Sequence, residues 1–397
     1  MKQLCFVGLP LLALAAPAAA QVVLSGTVRD ARTQAPVPFA NVAVPGQAGG
    51  TVSNAEGTFR LALPAAGADS VRVQSLGYAL LTVAVRPLPT GPLALRLQPQ
   101  AYALQEATVR GYTPASLLWQ AVRRSTARLA SPLELQTYYR EFTTYNGQVA
   151  KFADGLVDYY LQSNPRRPRS SEVQTRIRES RTGQAELSDD DASRAVPNPV
   201  GVGYAGRYYD VTYQLPALDS TKADYYRYTL LEAPAGAGAA DYYQVRCTPT
   251  TQKSSYLQET LVYIDRATLT IRHVETAVPA ALQSYLLGIK ILGISAQVRQ
   301  YRQRLDYCEL AGRLYPSFVR QQFAIDVARG SQLYRYEFSS DMLVRDLGAT
   351  PAPFAKAERY EGSIYKRGTH YTSPYWQAGN VVPATAAEEA AIAKLAQ

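Results

Sequence analysis

The sequence predicts a mainly β protein, with an N-terminal seven-stranded β-sandwich followed by a larger antiparallel β-sheet domain with flanking helices. Three observations predict this fold class. Short runs of alternating apolar and polar residues recur through residues 22–98, and longer runs of the same kind recur between residues 135 and 338. Such alternation is typical of strands that bury one face. Tyr is also unusually frequent, with 29 copies, and it favours strands and binding surfaces.

Residues 1–20 have the pattern of a secretory signal peptide. Lys2 gives the positive start, Leu4 to Ala16 give the apolar run, and Ala18-Ala19-Ala20 fits a small-residue cleavage site. The alternative, a short membrane anchor, needs a longer apolar run. Cys5 lies inside that run, well before the cut, so it does not become the first mature residue of a lipoprotein. We therefore expect an exported protein of the periplasm or the periplasmic face of the outer membrane, with no transmembrane helix after signal removal.

The composition is that of an ordinary globular protein of two or three domains. Hydrophobic residues make up 47% of the 397 residues and charged residues 18%, which argues against disorder. The 41 basic and 32 acidic residues give a net charge of +9, and loss of Lys2 with the signal removes one positive charge. In an exported chain this mild excess favours acidic glycans or lipid head groups over nucleic acid as partners. Solvated surface charge with no specific partner is the alternative.

Residues 21–99 are predicted to form the sandwich, and their central stretch, Thr51–Leu61, is predicted to be a hairpin. Asn54 can begin a type I turn and Gly57 can close it, since Gly tolerates a positive φ. From Phe59 onward, alternate residues are apolar and are expected to face the core. Other strand-like runs begin at Val22 and lie at Phe39–Val44, Ser70–Ser75, Tyr78–Val85 and Leu93–Leu97.

Several motifs of this region occur in a characteristic order. They are Gly26-Thr27-Val28-Arg29-Asp30, a loop with Pro36 and Pro38, Ala40-Asn41-Val42, Thr51 through Phe59, and Ser75-Leu76-Gly77-Tyr78. In these residues the chain resembles the carboxypeptidase regulatory-like domain. The resemblance implies a transthyretin-like seven-stranded sandwich, of the kind found at the N-terminus of many Gram-negative envelope proteins.

Residues 100–113 are predicted to be a linker. Leu104 to Tyr112 is similar to the segment that joins this domain to the plug of TonB-dependent outer-membrane receptors. Such a receptor needs a plug and a large barrel, for which the remaining residues are too few. A strand that passes from one domain to the next is the simpler interpretation.

The name of the domain suggests zinc peptidase chemistry, which the sequence does not support. A zinc carboxypeptidase holds its metal with two His and a Glu. The two His residues are His273 and His370, and neither is followed by Glu three positions later. His273 is expected to pack on a strand and His370 to lie in a surface loop. We found no nucleophile elbow, phosphate loop or dinucleotide fingerprint, and we expect no catalytic, cofactor-binding or metal-binding residue. A catalytic pair of carboxylates that are distant in sequence and close in space is not excluded by this search.

Residues 114–380 are predicted to form the antiparallel β-rich domain, which begins with a helix from Pro114 to Leu129 capped by Thr113. Asn146-Gly147 is the strongest hairpin signal in the chain. Further predicted strands are Tyr208–Leu215, Tyr225–Leu231, Tyr242–Thr248, Thr260–Ile264, Leu269–Val278, Val298–Leu310, Tyr315–Ala328 and Leu333–Phe338. Residues 381–397 are predicted to carry a C-terminal helix, introduced by a capping box at Thr385 to Glu388.

This second domain carries a resemblance of its own. From the helix at Pro114 through Tyr139-Arg140-Glu141 and Val262-Tyr263-Ile264-Asp265, the chain resembles exported β-rich envelope proteins of unassigned function. It resembles the open half-barrel of lipoprotein carriers more weakly, through architecture alone, and architecture does not fix function.

Four features of the second domain bear on function, and the last three of them leave alternatives open. Residues 163–206 are predicted to be a mobile, charged surface loop, and residues 286–294 a buried strand, with a flap that touches lipid as the alternative. Cys247 and Cys308 either pair or remain two thiols. Five Tyr-Tyr pairs put a ring on each side of a strand, for ordinary packing or for binding sugars or acyl chains. The pairs begin at Tyr138, Tyr159, Tyr208, Tyr225 and Tyr242.

The expected function is that of a non-catalytic binding or scaffolding protein of the cell envelope. Its partner would be an envelope protein, a glycan or a lipid, and the interpretation leaves room for peripheral association with a membrane. One alternative is a periplasmic carrier or sensor of a hydrophobic ligand with a half-barrel sheet. The other is a polysaccharide-acting enzyme whose carboxylates the sequence does not reveal.

Overall fold

The computed structural model describes residues 22–63, 67–99, 111–163, 172–185, 198–231, 242–291, 293–371 and 379–395. The predicted signal peptide and most of the predicted linker lie outside these ranges. The strands of the first domain are β1 (Val23–Asp30), β2 (Asn41–Ala43), β3 (Gly50–Val52), β4 (Thr58–Ala62), β5 (Ser70–Gln74), β6 (Leu81–Ala84) and β7 (Leu93–Leu97).

These seven strands form the predicted β-sandwich. One sheet has the order β4-β1-β7 and the other β3-β2-β5-β6. β1 and β7 run parallel, and the other pairs are antiparallel. Alternate residues point inward, so that side chains of both sheets, among them Val28, Val42, Phe59 and Val71, meet in one buried apolar cluster.

The turn at Asn54 forms as expected, but the prediction that Thr51–Leu61 is a hairpin is wrong. Asn54 Oδ1 accepts hydrogen bonds from the amides of Glu56 and Thr58 at 3.0 and 2.9 Å. β3 before the turn belongs to one sheet and β4 after it to the other. The chain crosses the sandwich here because Phe59 is needed in the sandwich core, whereas Val52 packs outward against the second domain.

The second domain contains α1 (Pro114–Arg128), a short α2 (Val202–Ala205) and α3 (Ala386–Leu395). Its strands are β8 (Leu133–Tyr145), β9 (Gln148–Gln162), β10 (Glu172–Gln184), β11 (Tyr226–Leu231), β12 (Tyr242–Pro249), β13 (Glu259–Asp265), β14 (Ile271–Ala277), β15 (Gly288–Ile291), β16 (Ile294–Leu310), β17 (Arg313–Arg329) and β18 (Gln332–Leu347). Short 3₁₀ helices of three to six residues lie at Gly206–Tyr209, Pro216–Leu218, Ser220–Tyr225, Ser254–Tyr256, Ala280–Tyr285 and Ile364–Arg367.

The strands of the second domain form the large antiparallel sheet that the sequence predicts. Their order is β10-β9-β8-β18-β17-β16-β14-β13-β12-β11, and β15 pairs with the end of β16 that extends past β14. Asn146 and Gly147, with φ of 47° and 82°, make the predicted two-residue turn between β8 and β9. α1 has the predicted cap, in which Thr113 Oγ1 accepts from the Ser116 amide at 3.1 Å.

Both faces of the large sheet are covered. α1 and residues 198–225 cover one face, where Leu118 lies in one buried cluster with Tyr139. The sandwich covers part of the opposite face, where Val52 lies in a cluster with Tyr138. We call these the helix face and the sandwich face. In this arrangement a strand can bury neighbouring side chains on both sides.

Cover on both faces explains the Tyr-Tyr pairs within β8 and β9: Tyr138 packs in the cluster with Val52 of the sandwich, and Tyr160 packs against Phe354. Tyr138 and Tyr139 are 3% and 0% exposed, and Tyr159 and Tyr160 are 0% and 3% exposed. These four rings are therefore packing residues and offer no open surface to a sugar or an acyl chain.

Residues 379–388 lie between the sandwich and the sheet and bond to both. On the sandwich side, Thr51 Oγ1 donates to the Val381 carbonyl at 3.1 Å, and Asn54 Nδ2 donates to the Ala384 carbonyl at 3.1 Å. On the sheet side, Arg140 Nη1 donates to the Val382 carbonyl at 3.3 Å. The capping box at Thr385 is formed as predicted and begins α3 directly after this segment.

The prediction of a strand at Tyr208–Leu215 is wrong. The segment forms a 3₁₀ turn and then tight turns, in which Asp210 Oδ1 accepts from the Thr212 amide at 2.9 Å. Its apolar residues, including Tyr209 and Val211, are buried in the cluster on the helix face. The alternation that suggested a strand comes from a segment that packs over the sheet and does not pair with it.

The prediction of a mobile loop over residues 163–206 is wrong for Glu172–Gln184, which forms β10 at one edge of the sheet. Its charged side chains face partners on β9: Arg176 Nη2 lies 2.8 Å from Asp158 Oδ2, and Arg181 Nη2 lies 2.7 Å from Asp154 Oδ2. Residues 164–171 and 186–197 lie outside the described residues.

The expectation that residues 286–294 are buried is also wrong. The stretch does contain a strand, β15, but it pairs only with β16 at an open edge. Leu287 and Ile294 are 57% and 46% exposed.

Two further questions from the sequence have structural answers. Cys247 and Cys308 are free thiols, and burial raises the pKa of both. Within the described ranges, no helix combines the length and the apolarity needed to cross a membrane.

Candidate functional site

One row of charged side chains runs across seven strands on the sandwich face. Residues directly opposite each other in neighbouring antiparallel strands share a face of the sheet. The pairing register places the following residues in line, from β14 to β10: Glu275, Arg304, Arg320, Asp341, Arg140, Asp154 and Arg181.

In the middle of this row the charged side chains are paired with each other. Asp341 accepts from two cations: its Oδ2 lies 2.8 Å from Arg140 Nη2, and its Oδ1 lies 2.7 Å from Arg320 Nη1. Burial opposes the charge on Asp341, but the two guanidinium groups outweigh burial and lower its pKa. The ring centre of Phe39 lies 4.3 Å from the Arg320 guanidinium carbon. Through this contact the sandwich packs against the row of charged side chains.

At the β14 side the row opens into a crevice of about 640 Å³ between the two domains. We call it the interdomain crevice. Its sandwich wall consists of Val37, Pro38, Phe39, Ser75 and Leu76. The sheet contributes Arg246, Glu259, Leu261, Glu275, Thr276, Ala277, Pro279, Arg302, Gln303, Arg304, Arg320 and Gln322. Binding sites often lie between domains, where two surfaces enclose a concave space.

Of the four guanidinium groups in the interdomain crevice, two form ion pairs and two have no partner among the described residues. Arg320 is held by Asp341, and Arg304 Nε lies 3.0 Å from Asp306 Oδ2. Arg246 and Arg302 make no side-chain hydrogen bond or ion pair with any residue in the described part of the chain. Arg246 lies three ladder steps from Arg304 in the register, so their Cα atoms are about 14 Å apart. The crevice therefore suits an elongated ligand.

His273 and His370, the two histidines of the sequence, lie far apart. His273 on β14 is 4% exposed and contacts Asp306 through Nδ1, so it is an ion-pair partner as well as a packed ring. Burial lowers the pKa of His273, but Asp306 outweighs burial and raises it. His370 is exposed and pairs with Ser180 on β10, which is six ladder steps, about 29 Å measured along the sheet, from β14. The two side chains cannot ligate one metal ion.

A second cavity, of about 830 Å³, lies on the helix face. Glu141 lines it but is only 1% exposed, and it accepts a hydrogen bond from Tyr139. Burial raises the pKa of Glu141 although the hydrogen bonds from its neighbours oppose the shift. Glu172 and Lys151 also line this cavity.

The sequence did not point to the residues of either cavity. Arg246 and Arg302 belong to alternating strands, where a polar residue is usually taken as solvent-facing. Their convergence depends on the pairing of strands and on the docking of the sandwich. Glu141 belongs to the Tyr139-Arg140-Glu141 motif, but nothing in the sequence assigns it a role.

Comparison with known proteins identifies the first domain. The model of the CarboxypepD_reg-like domain family matches residues 24–109, so the chain carries such a domain followed by a β-rich remainder. This confirms the resemblance seen in the sequence motifs. None of the curated proteins matches the chain.

Two solved structures are similar to parts of this chain. A DUF1329 family protein from Desulfovibrio piger has 12% identity and a TM-score of 0.26, with 62% of this chain and 99% of that chain covered. A LolA superfamily protein from Nitrosomonas europaea has 13% identity and a TM-score of 0.21, with 60% and 96% covered. Values this low support no functional inference.

Proposed function

We propose that this is a non-catalytic protein of the cell envelope that binds an anionic ligand in the interdomain crevice. The observation that carries the proposal is that Arg246 and Arg302 line the crevice without a partner among the described residues. A planar guanidinium group matches the two oxygens of a carboxylate or phosphate, and such charge-assisted hydrogen bonds are stronger than neutral ones.

The unpaired guanidinium groups of the crevice support an anion over a purely hydrophobic ligand. Arg304 and Arg320 are paired with Asp306 and Asp341, which leaves Arg246 and Arg302 beside the carboxylates of Glu259 and Glu275. Glu275 lies 3.1 Å from His273 Nε2, which reduces its repulsion of an incoming anion. Phe39 and Leu76 add an apolar wall, which suits a ligand with an apolar part such as a sugar ring.

Binding is tested with two probes, inorganic triphosphate and an oligosaccharide of uronic acids, by isothermal titration of the chain without its signal. We expect at least one probe to bind. The double variant Arg246→Gln with Arg302→Gln should weaken that binding about ten-fold or more, because each charged hydrogen bond contributes about 1.5–3 kcal/mol. The matched control is Arg227→Gln with Arg313→Gln, two exposed arginines outside the crevice.

The two probes distinguish a phosphate ligand from a carboxylate ligand. Failure of the wild type to bind either probe would refute the proposal. So would a double variant that binds as tightly as the wild type.

The envelope location is part of the proposal and rests on the signal-like residues 1–20 and on the CarboxypepD_reg-like domain. Fractionation of cells, followed by washes with salt and with carbonate, should recover the protein with the periplasm or the envelope. Recovery from the cytosol alone would contradict it. Crosslinking in cells followed by mass spectrometry would identify its neighbours.

A second candidate function, a polysaccharide-acting enzyme, is favoured by Glu141. Its raised pKa and its place on the wall of the helix-face cavity are features of a general acid. This candidate predicts that the protein turns over envelope polysaccharides and that Glu141→Gln abolishes the activity. Glu337→Gln, which changes an exposed residue, is the control and should leave the activity unchanged. Absence of turnover by the wild type would remove it.

A further inference from the structure

Three strands of the large sheet project beyond their neighbours. β14 pairs with β16 only between Arg302 and Asp306, although β16 begins at Ile294. β8 pairs with β18 only from Tyr336 onward, although β18 begins at Gln332. The ends of β16, β17 and β18 therefore extend past the sheet together with β15. We call residues 285–291, 293–299 and 325–335 the projecting tip.

The projecting tip concentrates exposed apolar side chains. Among the described residues, ten large hydrophobic side chains are strongly exposed, and four of them belong to the tip. They are Tyr285, Leu287, Ile294 and Leu333, with exposed fractions of 40%, 57%, 46% and 49%. Single exposed apolar residues are ordinary, but such a concentration marks an interaction surface.

The exposed apolar residues occur on both faces of the tip. Ile294 pairs with Arg329, and the next residue, Ser295, pairs with Ala328, which in turn pairs with Leu333. Because neighbouring residues of a strand point to opposite faces, Ile294 and Leu333 lie on opposite faces. A flat protein interface would cover one face only. A medium that surrounds the tip can cover both.

The tip is also strongly basic. Its sequence contains Lys290, Arg299, Arg329 and Arg335 and one acid, Asp326. Asp326 lies 3.3 Å from Arg299 and is neutralised by it. The side chains of Lys290, Arg329 and Arg335 make no hydrogen bond or ion pair with the part of the chain that the structure describes. Three cations therefore remain for an external anion.

We propose that the projecting tip docks on an anionic lipid surface. Leu287, Ile294 and Leu333 enter the interface between head groups and acyl chains, and Lys290, Arg329 and Arg335 contact anionic head groups. The surface is separate from the interdomain crevice, which lies around Arg246, Arg302 and Arg304. Binding of lipid by the tip can therefore be tested independently of ligand binding in the crevice.

Flotation with vesicles tests the docking. The chain without its signal is mixed with vesicles of equal parts phosphatidylglycerol and phosphatidylethanolamine, or with vesicles of phosphatidylcholine alone. We expect flotation with the anionic vesicles only, and less of it as salt is raised. Lys290→Gln, Arg329→Gln and Arg335→Gln should each weaken partition about five-fold, since each cation near such a surface is worth about 1 kcal/mol.

The apolar part has its own variants and controls. Leu287→Ser with Ile294→Ser should weaken partition about ten-fold or more, because two apolar side chains no longer leave water. The controls are Arg313→Gln, at the opposite end of the β16–β17 hairpin, and Leu88→Ser, an exposed leucine of the sandwich domain. Both should float as the wild type does.

A position-specific probe keeps the proposal testable if a variant is unstable. A polarity-sensitive dye on Leu287→Cys should shift to the blue when anionic vesicles are added, and the same dye on Leu88→Cys should not. Equal flotation with both vesicle types, tip variants that float like the wild type, or an unchanged spectrum at Leu287→Cys would each overturn the proposal. Capture of a protein partner through the tip, without vesicle binding, would replace lipid by protein as the occupant.

Discussion

Arg140 on β8 and Asp341 on β18 form an ion pair in which 3% and 4% of the two side chains are exposed. Arg140 Nη1 also donates to carbonyls of residues 382 and 383 and lies 3.4 Å from Glu388 Oε2. The pair therefore joins two strands of the sheet to the segment that bridges to the sandwich. Removal of any donor or acceptor from this group leaves a buried charge with one partner fewer.

Arg140→Met should be strongly destabilising. It leaves Asp341 buried with only Arg320 to compensate, and loss of one partner of a buried ion pair typically costs about 3–5 kcal/mol. Urea unfolding followed by circular dichroism measures the change. The control is Arg299→Gln, which breaks a pair whose arginine is 61% exposed and should cost about 1 kcal/mol or less. Equal effects of the two substitutions would contradict the role of burial.

Replacement of His273 should change how stability depends on pH. Burial lowers the pKa of His273 in the folded protein, but Asp306 outweighs burial and raises that pKa above the usual 6.5 of a histidine. The stabilising contribution of protonated His273 is therefore complete below about pH 6.5 and is lost as pH rises through the folded pKa. The wild type should lose stability relative to His273→Gln over that rise, as measured by urea unfolding at a series of pH values. Parallel pH profiles would show that the pair contributes nothing.

Gly206→Ala should destabilise the cover of the helix face. A Cβ at this position would lie 2.4 Å from Cδ1 of Tyr159, whose side chain is fully buried. Overpacking of this kind costs about 1–3 kcal/mol. Gly203→Ala is a matched control in α2, because its Cβ meets nothing within 4 Å, and it should be neutral or slightly stabilising. Thermal unfolding of both variants decides the matter, and similar midpoints would argue against tight contact at Gly206.

Phe39→Ala should loosen the docking of the sandwich while leaving each domain folded. The ring stacks on Phe318, with centroids 6.1 Å apart, and lies over Arg320 of the sheet. Aromatic and cation–π contacts of this kind are each worth about 0.5–1.5 kcal/mol. Amide hydrogen exchange should rise around residues 379–384 and at the crevice rim. Leu88→Ala, an exposed sandwich residue, serves as the control, and unchanged exchange in Phe39→Ala would refute the prediction.

The elements that could be predicted are those whose signals are local. Thr113 before Pro114 marks the start of α1, and Asn146-Gly147 marks the turn between β8 and β9. β10 could not be predicted, because it carries Arg176 and Arg181 in place of an apolar stripe. The ion pairs of these residues with Asp158 and Asp154 depend on the pairing of β10 with β9, which the sequence does not give.

The candidate sites could not be predicted because each depends on distant pairing. Asp341 meets Arg140 across 201 residues of sequence. Arg246 and Arg302 acquire a common space only when the loop at Phe39 docks over the sheet. Alternation within a strand says which face a side chain takes, but it does not say what covers that face.

The position of residues 379–388 in the chain determines when the two domains can dock during synthesis. The sandwich emerges from the ribosome first, yet Thr51 and Asn54 bond to residues 381 and 384, 330 positions later in the chain. The sandwich can close its own core early, but its final attachment must wait until synthesis has passed position 384. A nonsense codon shortly before position 380 would therefore release a chain that contains the sandwich and the sheet strands but lacks the bridge between the two domains.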